Sequence, residues 1–368
     1  MILAAGAGRR MQPLTHSRAK PALPVLGIPL VAHAARLLHA AGIREIVVNL
    51  HHQGQTVRTA LEQRQRDPRH LALSQVAFSY SPEDALQGTA GGIGRVREWL
   101  AAEGTAIVVN SDFISDIDLA TALAEHRRSG ARGTLVVTEP SGPFPGEVWT
   151  DAGGRVLSIG PPPAGRPDAT GPFEFTGVQI LEPELLERFP QRPSDSIRDV
   201  YLPALAQINI ASYRHGSFWW EFGSLDRYLE GQLRLVRERR HLEEGALLEM
   251  PGGSLVWLGP GANLSPAASI RGVVVIEGGA RVSSGAAVED SVILEHAQVP
   301  SWCRLSRCVL AAETVLTGGL QFDHLAIASS PCAAPSGLAM APETPGGRPS
   351  PPEGCQVARD LWLRPLAA

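Results

Sequence analysis

Between residues 256 and 294 aliphatic side chains return every six residues, at Leu258, Leu264, Ile270, Ile276, Val282, Val288 and Leu294. Two places before each stands a small or β-branched residue: Val256, Ala262, Ala268, Val274, Ala280, Ala286 and Val292. Seven consecutive matches at one spacing are hard to obtain by chance. They are the hexapeptide pattern of a parallel β-helix, in which each six-residue strand and turn forms one side of a triangular coil and stacked coils bury one another's faces. The spacing predicts a short left-handed β-helix of about three to four coils over 245–320. Its register slips after Leu294 and resumes at Val299, Leu305 and Val315.

The rest of the chain has another rhythm. From 1 to about 225, strand-like apolar runs alternate with helical stretches, which predicts a Rossmann-like, mostly parallel sheet flanked by helices. Strands are expected at Met1 to Ala4, Glu45 to Leu50, Gln75 to Ser79, Ala106 to Asn110, Thr134 to Thr138 and Gly177 to Leu181, and helices at Pro29 to Ala41 and Thr56 to Gln65. A charged helix over 226–244 connects this domain to the repeats, and 321–368 is expected to be a mostly disordered tail, with 331–354 rich in Pro, Gly, Ala and Ser. Its last apolar run, Leu361-Trp362-Leu363, docks on the protein or on a partner. With 368 residues, 44% of them hydrophobic, the chain is long enough for two domains.

Acidic and basic residues nearly cancel to a net charge of −4, and no lysine-rich tract is present. Nucleic acid and an anionic membrane are therefore not expected partners; a small polyanion is. No charged leader with an apolar core opens the sequence and no run of eighteen apolar residues occurs, so a cytoplasmic protein is expected, with a start upstream of Met1. Cys303, Cys308, Cys332 and Cys355 lack paired CxxC spacing, which argues against a zinc site or a disulfide framework.

The chemistry is concentrated in the first twenty-five residues: Leu3-Ala4-Ala5-Gly6-Ala7-Gly8-Arg9-Arg10-Met11, then Pro13-Leu14-Thr15, then Lys20-Pro21-Ala22-Leu23-Pro24-Val25. Gly6 and Gly8 allow positive φ and a close backbone approach, so that successive N–H groups converge on phosphate oxygens, with Arg10 and Lys20 adding fixed positive charge. Met11 stands where a dinucleotide fingerprint needs its third glycine, and no Gly-Lys-Ser/Thr follows, so neither common phosphate motif applies.

As a whole this stretch resembles the signature of the sugar-phosphate nucleotidylyltransferases, L-A-A-G-x-G-T-R-M/L-x-P-L-T followed by P-K-P-x-x-P-V. Arg9 replaces the usual small hydroxyl residue, where it either adds a phosphate contact or faces solvent, and Ala19 replaces the proline before the lysine. The resemblance covers about residues 1 to 320 and implies the nucleotide-diphospho-sugar transferase fold. It also implies an enzyme that joins a nucleoside triphosphate to a sugar 1-phosphate with release of pyrophosphate, using Mg²⁺. Two polyanions have to be brought together, so catalysis rests on positioning and charge neutralisation. Arg10 is then the candidate for the leaving phosphates and Lys20 for the α-phosphate and incoming sugar phosphate.

Leu3, Ala4, Ala5, Gly6 and Gly8 fall in the nucleotide-binding part of the signature. Glu83, Gly88 and Thr89 belong to Glu83-Asp84-Ala85-Leu86-Gln87-Gly88-Thr89-Ala90-Gly91, which is similar to the family's base-recognition loop E-x-x-x-L-G-T-A-G; glycine there lets a base lie against backbone and Glu83 accepts from its N–H groups. The Gly-Thr-Ala-Gly form resembles the mannose 1-phosphate guanylyltransferases. Asp112, in Val109-Asn110-Ser111-Asp112, matches the family's metal aspartate, and Glu221, in Trp219-Trp220-Glu221-Phe222-Gly223, stands where W-x-D-x-G supplies the second ligand. A magnesium site often takes only one or two carboxylates, with nucleotide and water completing it. Asn110, Gly146, Glu174, Thr176 and Gly177 fall in segments similar to those that touch the sugar in this family. The usual Glu-Lys-Pro is replaced by Gly160-Pro161-Pro162, and Glu174 is the candidate substitute.

The resemblance favours GTP with mannose 1-phosphate. It leaves open a uridylyl- or thymidylyltransferase acting on glucose 1-phosphate or N-acetylmuramate 1-phosphate, and a non-catalytic nucleotide-sugar-binding subunit. His51 and His52 are adjacent on a strand end, point to opposite sides and are read as packing or surface residues. His296 alone in the repeats does not argue for acyl transfer. The open end of a β-helix exposes backbone edges, so a homo-oligomer through the coils is expected.

Overall fold

The computed structural model describes residues 1–141, 146–330, 352, 354–358 and 360–366. The chain separates into two compact units, one formed by Met1–Ala7 and Leu30–Glu221, the other by Gly8–Pro29 and Phe222–Ala368. The boundary expected near 225 is thus supplemented by a second exchange near the N-terminus, where the segment carrying Arg10 and Lys20 joins the C-terminal unit.

In the first unit the strands lie in the order Ala77–Pro82, Glu45–Leu50, Ile2–Leu3, Ala106–Asn110, Thr170–Leu181, Gly133–Thr138 and Ile210–His215. Every neighbouring pair is parallel except those of Thr170–Leu181, which runs against both of its neighbours. Ile46 to Leu50, Ala106 to Val109 and Gly133 to Thr138 are buried without alternation, as strands covered on both faces require. The predicted strand at 75–79 lies two residues further on, because Val76 still belongs to the turn closed by its N–H on Leu73 O. Helix Leu30–Ala40 buries Leu30, Val31, Ala34, Ala35 and Leu38 and ends before Gly42 at φ +88°. Helix Leu119–Ser129 is capped by the Asp118 carboxylate, which accepts from Thr121 N at 3.0 Å, and stops at Gly130 in the left-handed region.

In the second unit the connecting helix is shorter than expected. It spans Leu225–Arg237, capped by Ser224, and the chain leaves it through left-handed residues at Arg239 and His241. The predicted β-helix follows. One face is the parallel ladder Leu255–Leu258, Ser269–Ile276, Ala287–Ile293, Val309–Leu310 and Leu325–Ser329; a second is Asn263–Leu264, Arg281–Val282 and Gln298–Val299; a third continues from Ala287 through Arg304–Ser306 to Gln321–Asp323.

The register corrects the six-residue count. Val256 lies opposite Val274, eighteen residues on, whereas Ile276 lies opposite Ile293, seventeen on. One residue is lost between Arg271 and Val274 of one strand and Glu289 and Ser291 of the next. Asp290 turns this corner at φ +40° and accepts from Val273 N at 3.0 Å. Its counterparts Gly272, Arg307 and His324 are left-handed too, so each later coil repeats the seventeen-residue step. The slip therefore precedes Leu294, and Ile293 takes the position assigned to it. Leu316 is buried at 3% exposure while Val315, the residue expected inside, is 54% exposed. His296 is a corner residue of the same kind, left-handed and stacked over Gly279.

Cys303 and Cys308 are unpaired and lie in the β-helix core. The part of 321–368 that is described is ordered in strands: Gln321–Asp323 and Leu325–Ser329 extend the coils, and Leu361–Pro365 pairs antiparallel with Leu325–Ser329 and with Gln356–Ala358. Strand Ala246–Glu249 lies antiparallel on Leu255–Leu258 at the other end of the ladder. The chain thus adds its own antiparallel strands at both ends of that sheet, and Ala246–Glu249 and Gln356–Ala358 become its edges. The disorder expected over 331–354 falls almost wholly outside the described residues.

Candidate active site

The exit of strand Ile2–Leu3 is braced from two sides. Ser111 Oγ donates to Leu3 O at 2.7 Å, and Ala4 N donates to Asn49 Oδ1 at 2.7 Å. Asn49 Nδ2 donates in turn to Glu83 Oε1 at 2.8 Å, and Gln87 N donates to Glu83 Oε2 at 2.9 Å. Leu3 O, Ala4 N and Glu83 are therefore engaged by the protein, and Ala4 and Ala5 are buried. Glu83, assigned to the base from sequence, is 5% exposed, and its two carboxylate oxygens accept from these two segments. His51 Nδ1 lies 2.8 Å from Glu83 O, which requires the Nδ1–H tautomer and joins the ring to the same network. Gly6 is exposed and has no positive φ, unlike the expectation; a Cβ there would meet nothing.

The glycines of Gly88–Gly94 also serve the protein. This short helix lies so close to residues 190–194 that a Cβ would fall 2.4 Å from Ser194 O at Gly88, 2.5 Å from Arg192 O at Gly91 and 2.1 Å from Pro190 O at Gly94. Thr89 Oγ1 accepts from Ser196 N at 2.9 Å and donates to Ser196 Oγ at 3.0 Å. The direction a Cβ would take at Gly88 is filled by the chain's own backbone, and the Thr89 hydroxyl has partners within the protein.

In the segment 8–29, Gly8 at φ +62° opens the single turn Arg9–Met11, whose Met11 is buried and whose Arg10 is exposed. Thr15 Oγ1 donates to Gly8 O at 2.9 Å. A second turn starts at Lys20, 8% exposed, whose Cβ would lie 3.2 Å from a Cβ on Gly8. Gly8 and Lys20, twelve residues apart in sequence, are thus in contact distance, and Arg10 follows one turn away.

Asp112 sits in a bend between Ala106–Asn110 and Phe113–Ser115. The latter pairs antiparallel with Trp219–Glu221, and the register puts Glu221 directly across from Phe113, the neighbour of Asp112. The rings of Phe113 and Trp219 lie 6.5 Å apart, and Trp219 Nε1 donates to Thr176 O at 3.1 Å. Both carboxylates are half-buried and supply hard oxygen donors. Among the described residues no three His, Cys, Asp or Glu side chains group as a metal set.

Around the strand Thr170–Leu181 the backbone bulges between Phe175 and Gln179. Gly177, at φ +81°, lies under the side chain of Asn110: a Cβ would be 2.6 Å from Asn110 Nδ2. Thr176, predicted to touch a sugar, is 1% exposed and donates to Val136 O at 2.8 Å, so its hydroxyl is structural. Gly146 is needed for close approach, since a Cβ would sit 2.4 Å from the Phe173 carbonyl carbon. Glu174 accepts from Ser141 N at 3.1 Å. The carboxyl of Glu147 lies above the usual carboxylate range, through partial desolvation first and then the neighbouring charges of Asp195 and Glu174; the residue as a whole still reaches solvent. Asn49 and Ser111 were not foreseen. Asn49 could have been, as the one polar residue in the buried run Ile46 to Leu50.

Within the first unit, a mostly parallel sheet with Asp112 just past the carboxyl end of Ala106–Asn110 and Glu221 on the strand paired beside it is the framework of an α/β enzyme whose ligand sits at strand ends. The chain belongs to the nucleotidyl transferase family, whose profile matches residues 1–238, and residues 257–323 match the GlmU-like C-terminal hexapeptide family. The resemblance read from the first twenty-five residues is thereby borne out, as are the fold class and the hexapeptide repeat. The chain is 30% identical over 315 residues to a mannose-1-phosphate guanylyltransferase of Mycobacterium tuberculosis, covering 83% of this chain and 82% of the relative. It is 28% identical to a UTP–glucose-1-phosphate uridylyltransferase of Synechocystis, over 68% of this chain and 67% of that protein. It is 32% identical to an N-acetylmuramate alpha-1-phosphate uridylyltransferase of Neisseria meningitidis, over 63% and 96%. The crystal structure of HddC from Yersinia pseudotuberculosis has the same fold, with a TM-score of 0.52 and 19% identity over 64% of this chain and 97% of that one. No helix among the described residues is long and apolar enough to cross a membrane.

Proposed function

We propose that this nucleotidyltransferase makes GDP-mannose from GTP and mannose 1-phosphate in the cytoplasm. A phosphate oxygen of the sugar 1-phosphate forms a bond to the α-phosphorus, and the bond from that phosphorus to the β-phosphate oxygen breaks, so that pyrophosphate leaves with the electron pair. Arg10 balances charge on the leaving phosphates and Lys20 on the α-phosphate. Asp112 and Glu221 hold Mg²⁺, which when bound neutralises charge on the triphosphate. Asn110, held over Gly177, and Glu174 face the sugar in this reading, and Gly6 and Gly8 offer backbone N–H groups to the nucleotide.

The observation that carries the reading is the strand pair that brings Glu221 beside Asp112, two residues remote in sequence that are both hard-metal donors. The guanine and mannose assignments rest on the Gly88-Thr89-Ala90-Gly91 form and on the relatives named mannose-1-phosphate guanylyltransferase. The uridylyltransferases among the relatives favour a second reading, UTP with glucose 1-phosphate or N-acetylmuramate 1-phosphate. Pyrophosphate release from four nucleotides against a panel of sugar phosphates tests both. The highest kcat/KM is expected for GTP with mannose 1-phosphate; a uridine or thymidine pair in first place replaces that assignment. Binding of nucleotide sugar without any turnover replaces the enzyme by a regulatory subunit. The hexapeptide region makes a homo-oligomer part of this proposal, and light scattering of the full chain should give a multiple of 39.2 kDa.

A further inference from the structure

The turn that carries Arg10 has its carbonyl end closed from the far end of the chain. Arg364 Nη1 donates to Arg9 O at 3.0 Å and to Gln12 O at 3.3 Å, the two carbonyls that flank Arg10 and Met11. Arg9 O already accepts from Gln12 N at 3.3 Å within the turn, and Nη1 of Arg364 adds a charged donor there and ties it to Gln12 O. Gly354 lies beside it: a Cβ there would be in ordinary contact, 3.4 Å from the guanidinium carbon. Arg364 and Trp362 alternate onto one face of strand Leu361–Pro365. Trp362, 1% exposed, meets the ring of His16 edge-on at 4.6 Å. Two side chains of one strand therefore grip both ends of the stretch from Arg9 to His16. Pairing with Leu325–Ser329, Ala326 opposite Arg364, ties that strand to the last coil.

The rest of the segment is fastened in the same unit. Arg18 pairs with Glu295 at 2.9 Å, Gly27 N donates to Glu277 Oε1 at 3.0 Å, and the Tyr228 hydroxyl donates to Pro24 O. Those anchors lie beyond Lys20 or beside it. The Arg364 contacts act on the turn of Arg10 itself, and the Trp362 contact on the residues just after it.

We infer that Arg364 is a positioning residue for nucleotide binding: by holding the carbonyls of Arg9 and Gln12 it sets the direction in which Arg10 leaves its turn. The inference rests on the proposed role of Arg10 toward the phosphates.

The test uses full-length protein, GTP and mannose 1-phosphate, or the pair that turns over fastest in the substrate panel. Arg364→Ala should raise the nucleotide KM about tenfold with kcat within about threefold and an unchanged thermal midpoint. Arg364→Lys, which keeps the charge and a donor but not the fork, should recover part of that loss. Hydrogen exchange at the amides of 11–16 should quicken in Arg364→Ala without substrate present. In an Arg10→Ala background the Arg364→Ala effect on KM should vanish, because both substitutions act through one group. An equal KM effect in that background, or an unchanged KM and unchanged exchange in Arg364→Ala, overturns the inference. If Arg364→Ala does not fold, Arg364→Gln keeps one donor and is judged by the same readouts. A full-speed Arg10→Ala enzyme overturns the role of Arg10 instead, and the exchange measurement then shows separately whether Arg364 orders the turn.

Discussion

Asn49 and Glu83 form a single bridge between the exit of the first strand and the entry to helix Gly88–Gly94. The amide nitrogen of Asn49 donates to the carboxylate at 2.8 Å, its oxygen accepts from Ala4 N at 2.7 Å, and the second carboxylate oxygen accepts from Gln87 N at 2.9 Å. Two loops assigned to the nucleotide by sequence are thus set relative to each other by two buried side chains of the same unit.

Glu83→Gln tests the bridge. A carboxylate accepts from both Asn49 and Gln87, while an amide must turn its own NH₂ toward one of these donors. A buried donor left without an acceptor costs about 1–3 kcal/mol. Urea unfolding should show that loss; an unchanged unfolding free energy would mean the two donors find other partners.

Gly177→Ala should destabilise by about 1–3 kcal/mol, since the residue is left-handed and its Cβ would collide with Asn110. Adding Asn110→Ala removes the atoms at 2.6 and 2.8 Å but keeps Asn110 Cβ at 2.9 Å, so it should return only part of the loss. Identical stability of the single and double variants would show that the amide takes no part in the collision.

Asp112→Asn and Glu221→Gln should each lower kcat by about a hundredfold or more, the scale of lost electrostatic stabilisation at a transferring group. Glu221→Asp keeps the charge with a shorter arm, so turnover should survive while the half-saturating Mg²⁺ concentration shifts. A magnesium titration of pyrophosphate release reads both. Full activity of either neutral variant removes that residue from the metal site.

Leu316→Ala should cost about 2–4 kcal/mol and Val315→Ala less than about 0.5 kcal/mol, because only the first fills the β-helix core. The reverse order in thermal or denaturant melts would restore the unbroken six-residue register.

Burial pushes the Cys308 thiol up to about 11 and raises that of Cys303 as well. At pH 8 only about one Cys308 in a thousand is thiolate, so iodoacetamide should spare it until the protein unfolds. Because the folded thiol keeps its proton where the unfolded chain's ionises, stability should decline between about pH 9 and 11. Labelling of native protein at Cys308, read by mass spectrometry, would contradict its place inside the coils.

Local pattern made much of this molecule readable. Strands such as Ala106–Asn110 and the hexapeptide faces announce themselves because burial imposes a period on neighbouring residues, and the stretch from Leu3 to Val25 is legible because phosphate binding demands unusual residues close together. What stayed hidden has one cause. Val292 and Leu294, which continue the six-residue count, are buried along with Ser291 and Ile293, which the ladder pairs with Val274 and Ile276, so the shortened corner left no clean mark and the register was misplaced by one. Glu83, Thr89 and Thr176 are the polar types a binding loop needs, and sequence cannot show that a buried donor or acceptor nearby already engages them.

The amino-acid order alone determined the parallel sheet, the β-helix and the cationic signature with its two carboxylates, because each depends on residues a few places apart. Tertiary structure alone decided that Gly88, Gly91 and Gly94 make room for the chain's own backbone, that Glu221 comes beside Asp112, and that Arg364 closes the turn of Arg10. Those contacts join residues separated by about a hundred to three hundred and fifty positions, and only the packed chain brings them together.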